Sequence, residues 1–415
     1  MRRLFAIMTT VAFLLAGCKK ETPEPEPIAV KVSQIKLVGM PTEFTVGRSV
    51  TISAVITPDD AADKSVTFTS SNPEVATVEY TKSEYNYSLA LLKAVGPGKA
   101  TITATANDGS GVKAEAEVTV ILKKTTFASP ANCYIVTNAG EYIFKTLKGN
   151  SSESVGNVAS AEVLWETFGT HKAPEVGDLV KEVSYNNGEI TFKATDRKGN
   201  AVIAAKDAAG NILWSWHIWM TDQPVEKVYP SNATMMDRNL GAISATPGNV
   251  GTIGLKYQWG RKDPFLGAAS HNFNVEAKST ITWPQSEESS ATTGTILYAT
   301  EHPTTFIDKS AEHTNEDWYY TGNKSTDNTR WTTSDKAKSI YDPCPAGWRV
   351  PDDSNKNVLN ADLNETLALY PLGDYWTAST VTDDYFAIVL NVSSNEVYSY
   401  RKSRYMGLKV RCIKE

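Results

Sequence analysis

The chain is 415 residues long, more than a single hydrophobic core usually organises, so two to four domains are expected. Hydrophobic residues make up 41% and charged residues 21%, a balance that excludes disorder for most of the length. The formal net charge is −6 with both signs mixed, and no basic stripe indicates nucleic-acid binding. Tyrosine (18) and tryptophan (10) are frequent while long helical patterns are missing, which favours β-structure.

The amino terminus carries the one continuous apolar run. Arg2-Arg3 precedes an apolar stretch from Leu4 to Ala16, which is too short for a membrane-spanning helix of roughly 20 residues. This pattern predicts a secretory signal peptide over residues 1–17. The stretch ends in Leu15-Ala16-Gly17-Cys18, which resembles the lipobox of bacterial lipoproteins. The resemblance implies cleavage after Gly17 and acylation of Cys18, with the membrane as a partner through the lipid. The alternative is an ordinary signal peptide with an incidental cysteine.

Residues 18–29 form a tether in which proline alternates with glutamate. Such a tract favours an extended, semi-rigid polyproline-II spacer that holds the first domain away from the membrane. The residue after Cys18 is Lys19 rather than aspartate, which favours sorting to the outer membrane. The acidic, proline-rich tether favours display at the cell surface.

Residues 30–122 show short strands of alternating apolar and polar residues, separated by turn residues. About seven such strands in this length predict an immunoglobulin-like sandwich. Three segments carry a closer similarity: Val46-Gly47, Ser70–Val78 and Gly96–Ala104. They resemble the bacterial Ig-like group 2 (BIG2) family, whose domains commonly serve as stalks or spacers in surface proteins.

Residues 125–222 continue the strand pattern and predict a second β-sandwich. Its last strand, Ile212–Trp219, has apolar bulk on both faces, which predicts burial on both faces at the junction with the following segment. A platform for stacking sugars is the alternative interpretation of its three tryptophans.

Residues 229–415 contain long polar loops punctuated by tryptophan and glycine landmarks. The landmarks are, in order, Met236–Ala242, Tyr257–Phe265, Ile340–Pro351, Tyr375–Ser379 and Gly407–Cys412. Together they resemble the Fibrobacter succinogenes major paralogous (FISUMP) domain. The resemblance implies a C-type-lectin-like α+β head. The predicted fold class is thus mainly β, with two Ig-like sandwiches followed by this head.

Three cysteines remain beyond Cys18, and export to an oxidising compartment permits one bridge among them. The FISUMP resemblance implies a disulfide between Cys344 and Cys412, which both lie in landmarks of one segment. Cys133 is then the odd thiol. Apolar spacing after Ser354 also predicts a helix that ends before Pro371.

Motifs for catalysis or metal binding are missing from the sequence. Five histidines are scattered, His302 and His313 fit solvated loops, and no HExxH, GxSxG or phosphate loop occurs. The acidic pairs Asp352-Asp353 and Asp383-Asp384 fit caps and turns better than calcium ligation. We therefore expect no enzyme activity, no metal and no cofactor.

Aromatic residues cluster between residues 317 and 332 among polar neighbours. The candidate ligand-binding residues are Trp318, Tyr319, Tyr320, Arg330 and Trp331. Rings beside polar groups can stack on sugars or anchor a protein partner. They can equally form a small core beneath long loops, which is the favoured interpretation.

The expected function is that of a lipid-anchored outer-membrane protein at the cell surface. It would act without catalysis in adhesion or in recognition of glycans or surface proteins. The first alternative is a structural accessory or fimbrial-tip component that contacts other surface subunits. The second is an enzyme of unknown type, which would require a cleft with perturbed acid and base residues.

Overall fold

The computed structural model describes residues 29–246, 248–266, 277–283, 285–310, 315–322, 327–381 and 385–415. Strands predominate within them and include Ig-like sandwich sheets, so the prediction of a mainly β fold is confirmed. The chain forms two compact units. One holds most of residues 29–119, and the other holds Val120–Glu415 with Glu43–Arg48 and Ala94–Gly98. In the described part of the chain, no helix is both long and apolar enough to cross a membrane.

The first part of the chain contains eight strands. They are β1 (Gln34–Val38), β2 (Glu43–Thr45), β3 (Ser49–Thr57), β4 (Val66–Ser70), β5 (Ala76–Glu84), β6 (Tyr87–Ala94), β7 (Gly98–Ala106) and β8 (Lys113–Ile121). In β3, β6 and β7 buried residues alternate with more exposed ones, as a period-two sequence pattern predicts. One sheet has the order β1-β3-β6-β5, and in the other β8, β7 and β4 are neighbours. The core includes the buried side chains of Ile52, Leu92, Ile102 and Val118.

Eight further strands follow in residues 124–220. They are β9 (Lys124–Thr126), β10 (Cys133–Val136), β11 (Gly140–Lys145), β12 (Ser160–Thr167), β13 (Val180–Asn186), β14 (Glu189–Ala194), β15 (Gly199–Lys206) and β16 (Ile212–Met220). They form two four-stranded sheets, β10-β16-β15-β12 and β13-β14-β11-β9. Aromatic rings contribute to the buried core: the Phe144 ring lies 5.0 Å from Trp216 and 6.2 Å from Phe192, edge to face.

Residues from 226 onward form shorter strands joined by long loops. The elements are β17 (Glu226–Val228), β18 (Thr234–Met236), a 3₁₀ turn (Val250–Thr252), β19 (Lys256–Gln258), β20 (Gln285–Glu288), α1 (Ile296–Glu301), β21 (Thr305–Asp308), β22 (Trp348–Arg349), α2 (Asn355–Ala361), α3 (Leu363–Leu369), β23 (Gly373–Thr380), β24 (Phe386–Val392), β25 (Val397–Ser403), β26 (Gly407–Lys409) and β27 (Ile413–Lys414). Their sheets have the orders β17-β18-β27-β22, β19-β26-β23-β24-β25 and β20-β21.

The helix predicted after Ser354 is two short helices instead of one. Asp362 lies between α2 and α3, and its side chain accepts a hydrogen bond from the Glu365 amide at 3.3 Å. A carboxylate that caps a new helix start competes with continuation of the preceding helix. The apolar spacing alone does not reveal this break.

Strand β16 joins the two halves of the larger unit. Trp216 and Ile218 lie in the core of the sandwich, whereas Trp219 packs in a cluster that contains Leu240 and Trp376 of the later segment. The predicted burial of this strand on both faces is therefore confirmed, and its tryptophans are packing residues.

Candidate functional site

The loop aromatics predicted to bind a ligand are largely buried. Trp318 is 1% exposed, and Arg330 and Trp331 are equally inaccessible. The indole N–H of Trp318 donates to the Trp259 carbonyl at 2.8 Å, and that of Trp331 donates to the Arg261 carbonyl at 3.0 Å. Their faces and polar atoms are thus already occupied by the protein. A ligand-binding role for these three residues is wrong, and core packing, the favoured interpretation, is what the structure shows.

Arg330 forms the centre of a buried stack of aromatic rings. Its guanidinium lies 4.8 Å from the ring centre of Trp259, 4.9 Å from that of Trp318 and 5.2 Å from that of Tyr319. Such contacts stabilise a cation most where water is excluded. Gly260 has φ +84°, and a Cβ there would lie 2.6 Å from the Arg330 Cβ, so the close approach depends on glycine at this landmark.

The carboxylate of Asp317 balances the positive charge of the buried Arg330 guanidinium. Its carboxylate pairs with Arg330 through two hydrogen bonds and accepts a further one from Arg404 Nη1 at 3.3 Å. Arg404 also donates to Asn328 Oδ1 at 2.6 Å. Burial nevertheless lowers the pKa of Arg404 to about 10, with Asp317 opposing that shift. The triad of Asp317, Arg330 and Arg404 fixes loops that are distant in sequence.

The two remaining candidates in this loop, Tyr319 and Tyr320, are partly buried. Tyr319 packs against a small cluster that contains Ala299, Ile307 and Trp318. The Tyr320 amide donates to the Gly294 carbonyl at 2.8 Å. The segment therefore covers a satellite core and presents no open aromatic platform.

The sequence landmarks meet through indole hydrogen bonds. Trp259 donates to the Thr377 carbonyl at 2.9 Å, and Trp376 donates to the Tyr257 carbonyl at 2.7 Å. A buried indole N–H requires a partner, so these two landmarks hold each other in place. Trp219 of β16 extends this pattern by donating to the Ala242 carbonyl at 3.0 Å.

A second set of buried polar contacts ties β16 to the later segment. Lys262 Nζ donates to Ser215 Oγ at 2.6 Å and to Asp263 Oδ1 at 2.7 Å, and its ammonium lies 4.6 Å from the ring centre of Trp214. Burial lowers the pKa of Lys262, with Asp263 opposing the shift. Asn132 adds hydrogen bonds to the carbonyls of Ile340 and Asp342.

The cysteines pair as the FISUMP resemblance implies. Cys344 and Cys412 form a disulfide with a Cα–Cα distance of 6.0 Å, and Cys133 is free and buried. Burial raises the pKa of the Cys133 thiol, which keeps it protonated and unreactive. Cys18, predicted to carry the lipid, lies outside the described residues.

Titratable groups show no assembled catalytic set in the described ranges. Burial lowers the pKa of His217 to about 3, and its ring bonds Asn200 Oδ1 at 2.9 Å. His302 is exposed and stacks on Tyr298, whereas His313 lies outside the described residues. Among the residues that the structure describes, no three His, Cys, Asp or Glu side chains gather to hold a metal ion.

A cavity of about 210 Å³ lies beside β19 and was not indicated by any sequence motif. Glycine backbone forms much of its wall, and Asn200 and Lys256 contribute the polar side chains. Carboxylate, imidazole and thiolate groups, the usual side-chain ligands of metal ions, are not among its lining residues.

Among the described residues of the larger unit, two exposed tyrosines lie on β25 instead of in the predicted loop. Tyr398 is 42% exposed and Tyr400 is 37% exposed, and their ring centres are 5.9 Å apart. The two tyrosines are two residues apart on a strand, so both lie on one face of the sheet. This spacing is the sequence signal from which the pair could have been predicted. This pair is called the β25 tyrosine pair below.

Polar side chains from three strands surround the β25 tyrosine pair. Asp374 accepts from Asn391 Nδ2 at 2.7 Å, from the Tyr400 hydroxyl at 2.8 Å and from Lys402 Nζ. Partial burial alone would raise the pKa of Asp374, but these hydrogen bonds hold it below its usual value. The result is a fixed aromatic surface bordered by hydrogen-bonding groups.

Comparisons with known proteins cover parts of the chain. An uncharacterized protein of Clostridium acetobutylicum is 27% identical over an alignment of 183 residues that covers 38% of this chain and 18% of that protein. The chain thus spans less than a fifth of the length of this curated relative.

Three solved structures show a weak likeness to the chain. The Escherichia coli adhesin FdeC has 16% identity over 46% of this chain and 66% of that chain, with a TM-score of 0.23. The Yersinia pseudotuberculosis adhesin InvE has 12% identity over 92% and 98%, with a TM-score of 0.20. Domains 4 and 5 of the S-layer protein SbsC have 19% identity over 21% and 51%, with a TM-score of 0.19. TM-scores this low carry no argument about the function of this chain.

The family of bacterial Ig-like domains of group 2 matches the first domain, and the match extends over residues 31–120. Its limits agree with the eight strands from β1 to β8. Residues 31–120 are a bacterial Ig-like domain of group 2.

Proposed function

We propose that the chain is a lipid-anchored outer-membrane protein, displayed at the cell surface, that acts in adhesion or recognition without catalysis. The basic pair Arg2-Arg3, the short apolar stretch and the ending in Cys18 support export and lipidation. Several acyl chains hold a protein firmly, since each buried CH₂ contributes about 0.8 kcal/mol. Lys19 and the acidic tether support outer-membrane sorting and surface display.

In this proposal the Ig-like domain serves as a spacer and residues 229–415 form a FISUMP, C-type-lectin-like recognition domain. The support is the ordered set of five landmarks, in which Trp259, Trp376 and Arg411 form buried hydrogen bonds to other landmarks. Such hydrogen bonds hold a surface in one geometry, and a preorganised surface loses less entropy when it binds.

The observation that carries the proposal is the β25 tyrosine pair with its polar border. Aromatic faces stack on the apolar faces of sugar rings, while Asp374, Asn391 and Lys402 offer acceptors and donors for hydroxyl groups. The network already holds these side chains in place, so little ordering is left for the ligand to induce. A glycan of pyranose rings is therefore the ligand that the surface fits best.

The double substitution Tyr398→Ala/Tyr400→Ala is expected to weaken glycan binding at least tenfold, because burying one ring contributes about 1–3 kcal/mol. The melting temperature should fall only slightly, because the two tyrosines are 42% and 37% exposed and belong to no buried cluster among the described residues. A glycan array identifies the sugar, and calorimetry with that sugar measures the affinity. The control Tyr398→Phe/Tyr400→Phe keeps both rings and should retain most of the binding.

Glycan binding that survives the alanine double variant would overturn the assignment of this surface. If the array shows no binding and the protein instead co-purifies with fimbrial subunits, the structural-accessory alternative replaces glycan recognition. A co-purification lost in the same alanine variant would then assign the surface to a subunit contact.

Cys18→Ser is expected to move the protein from the membrane fraction to the soluble periplasmic fraction, because the lipid is the proposed anchor. Fractionation followed by immunoblotting measures the distribution, and mass spectrometry of the mature amino terminus detects the acyl chains. Cys133→Ser, which leaves the lipobox intact, is the control for loss of a cysteine. Membrane retention of the Cys18→Ser protein would contradict the proposal.

A further inference from the structure

All three tyrosines of the Ig-like domain lie on one hairpin. Residues 31–120 contain Tyr80, Tyr85 and Tyr87 and no tryptophan, and these tyrosines fall within the β5–β6 hairpin. Tyr80 is 51% exposed and Tyr85 is 94% exposed. Other side chains form the core of the domain, and the three tyrosines are not among its buried residues. Residues 80–87 are called the tyrosine hairpin below.

Tyr85 occupies a backbone position that disfavours a large side chain. Its φ is +50°, in the left-handed region where glycine and asparagine are preferred, and it stands in the two-residue turn between Glu84 and Tyr87. It makes no hydrogen bond or ring contact with any described residue. A strained residue that gains nothing from packing indicates a contact made outside the chain.

Its neighbours hold the turn in a defined shape. The Tyr87 hydroxyl donates to Glu84 Oε2 at 2.8 Å, and Asn86 Nδ2 donates to Asp59 Oδ1 at 2.8 Å. The Ile56 amide also donates to the Asn86 carbonyl at 2.7 Å. The backbone of the tip therefore has a defined shape, which reduces the backbone entropy lost on binding.

The chemistry of the hairpin indicates the kind of partner. Tyrosine, serine, threonine and asparagine dominate residues 80–88, a composition shared with protein-binding antibody loops. A convex hairpin tip cannot enclose a small ligand, because small-molecule sites are concave. Lys82 pairs with Glu84 and neutralises it. The Asp59 carboxylate, which accepts from Asn86, therefore gives the tip its negative charge, and tyrosine faces also attract cations.

We propose that the tyrosine hairpin is a docking element for a protein segment that presents arginine or lysine side chains. The rings of Tyr80 and Tyr85 supply the contact area, and their faces together with the Asp59 carboxylate select basic partners. This gives the Ig-like domain a binding role beyond that of a spacer. The inference does not depend on the β25 tyrosine pair or on glycan recognition.

The test is a selection of phage-displayed random peptides on wild-type protein, with counter-selection on the variant Tyr80→Ser/Tyr85→Asn. Asparagine tolerates positive φ, so this variant should fold with an unchanged or higher melting temperature. Enriched peptides are expected to be rich in arginine or lysine. Synthetic copies should bind the wild type at least tenfold more tightly than the variant.

Two further variants separate this proposal from others. Tyr85→Phe keeps the ring and should retain peptide binding, and Tyr398→Ala/Tyr400→Ala should leave it unchanged. Failure to enrich any hairpin-dependent peptide, or enrichment of peptides without basic residues, would overturn the proposal. Glycan-array binding that depends on Tyr85 would also overturn it, in favour of a carbohydrate partner.

Discussion

Asp317→Ala is expected to destabilise the unit containing residues 120–415 by about 3–5 kcal/mol, because it leaves two guanidiniums buried without their carboxylate. Arg330 and Arg404 both contact Asp317, and all three side chains are buried. Denaturant unfolding followed by tryptophan fluorescence measures the loss. All ten tryptophans lie beyond residue 120, so the signal reports this unit alone.

An exposed ion pair provides the matched control. Glu226 accepts from Lys414 at 2.7 and 2.8 Å, but both side chains are about half exposed. Glu226→Ala is therefore expected to cost less than about 1 kcal/mol. Equal losses for the two variants would mean that the Asp317 carboxylate remains solvated in solution, contrary to the buried triad.

This triad also explains why the predicted ligand site was wrong. In the sequence, Asp317 and Arg330 stand beside tryptophans in segments rich in polar residues, a pattern typical of a solvated binding loop. Their charges in fact neutralise one another away from water, and the ring nearest to the Arg330 guanidinium, that of Trp259, lies about seventy residues earlier in the chain. Burial set by partners this far apart cannot be predicted from local composition.

Strands whose apolar residues recur at every second position were predictable from the sequence. The period-two strands of the Ig-like domain and the doubly buried β16 carry their signal within a few residues. The β25 tyrosine pair has the same local signal but was hidden because adjacent strands, not β25 itself, supply Asp374 and Asn391. A site built across a sheet becomes visible only when the strand order is known.

Removing the bridge with Cys344→Ala/Cys412→Ala is expected to lower the free energy of unfolding by about 4 kcal/mol. The bridge closes a loop with a sequence separation of 68, and opening it returns that loop's conformational freedom to the unfolded chain. Alanine is chosen because both sulfurs are buried and a hydroxyl would lack a partner. Tryptophan fluorescence in denaturant again measures the change.

Reduction supplies an independent control for the same bridge. Dithiothreitol should destabilise the wild type by a similar amount and leave the double alanine variant unaffected. Cys133→Ala should keep its sensitivity to reduction, because Cys133 is free in the sandwich core. Non-reducing peptide mapping should join Cys344 to Cys412. A peptide that joins Cys133 to either partner would contradict the pairing, because the buried thiol of β10 would then have to leave its sheet.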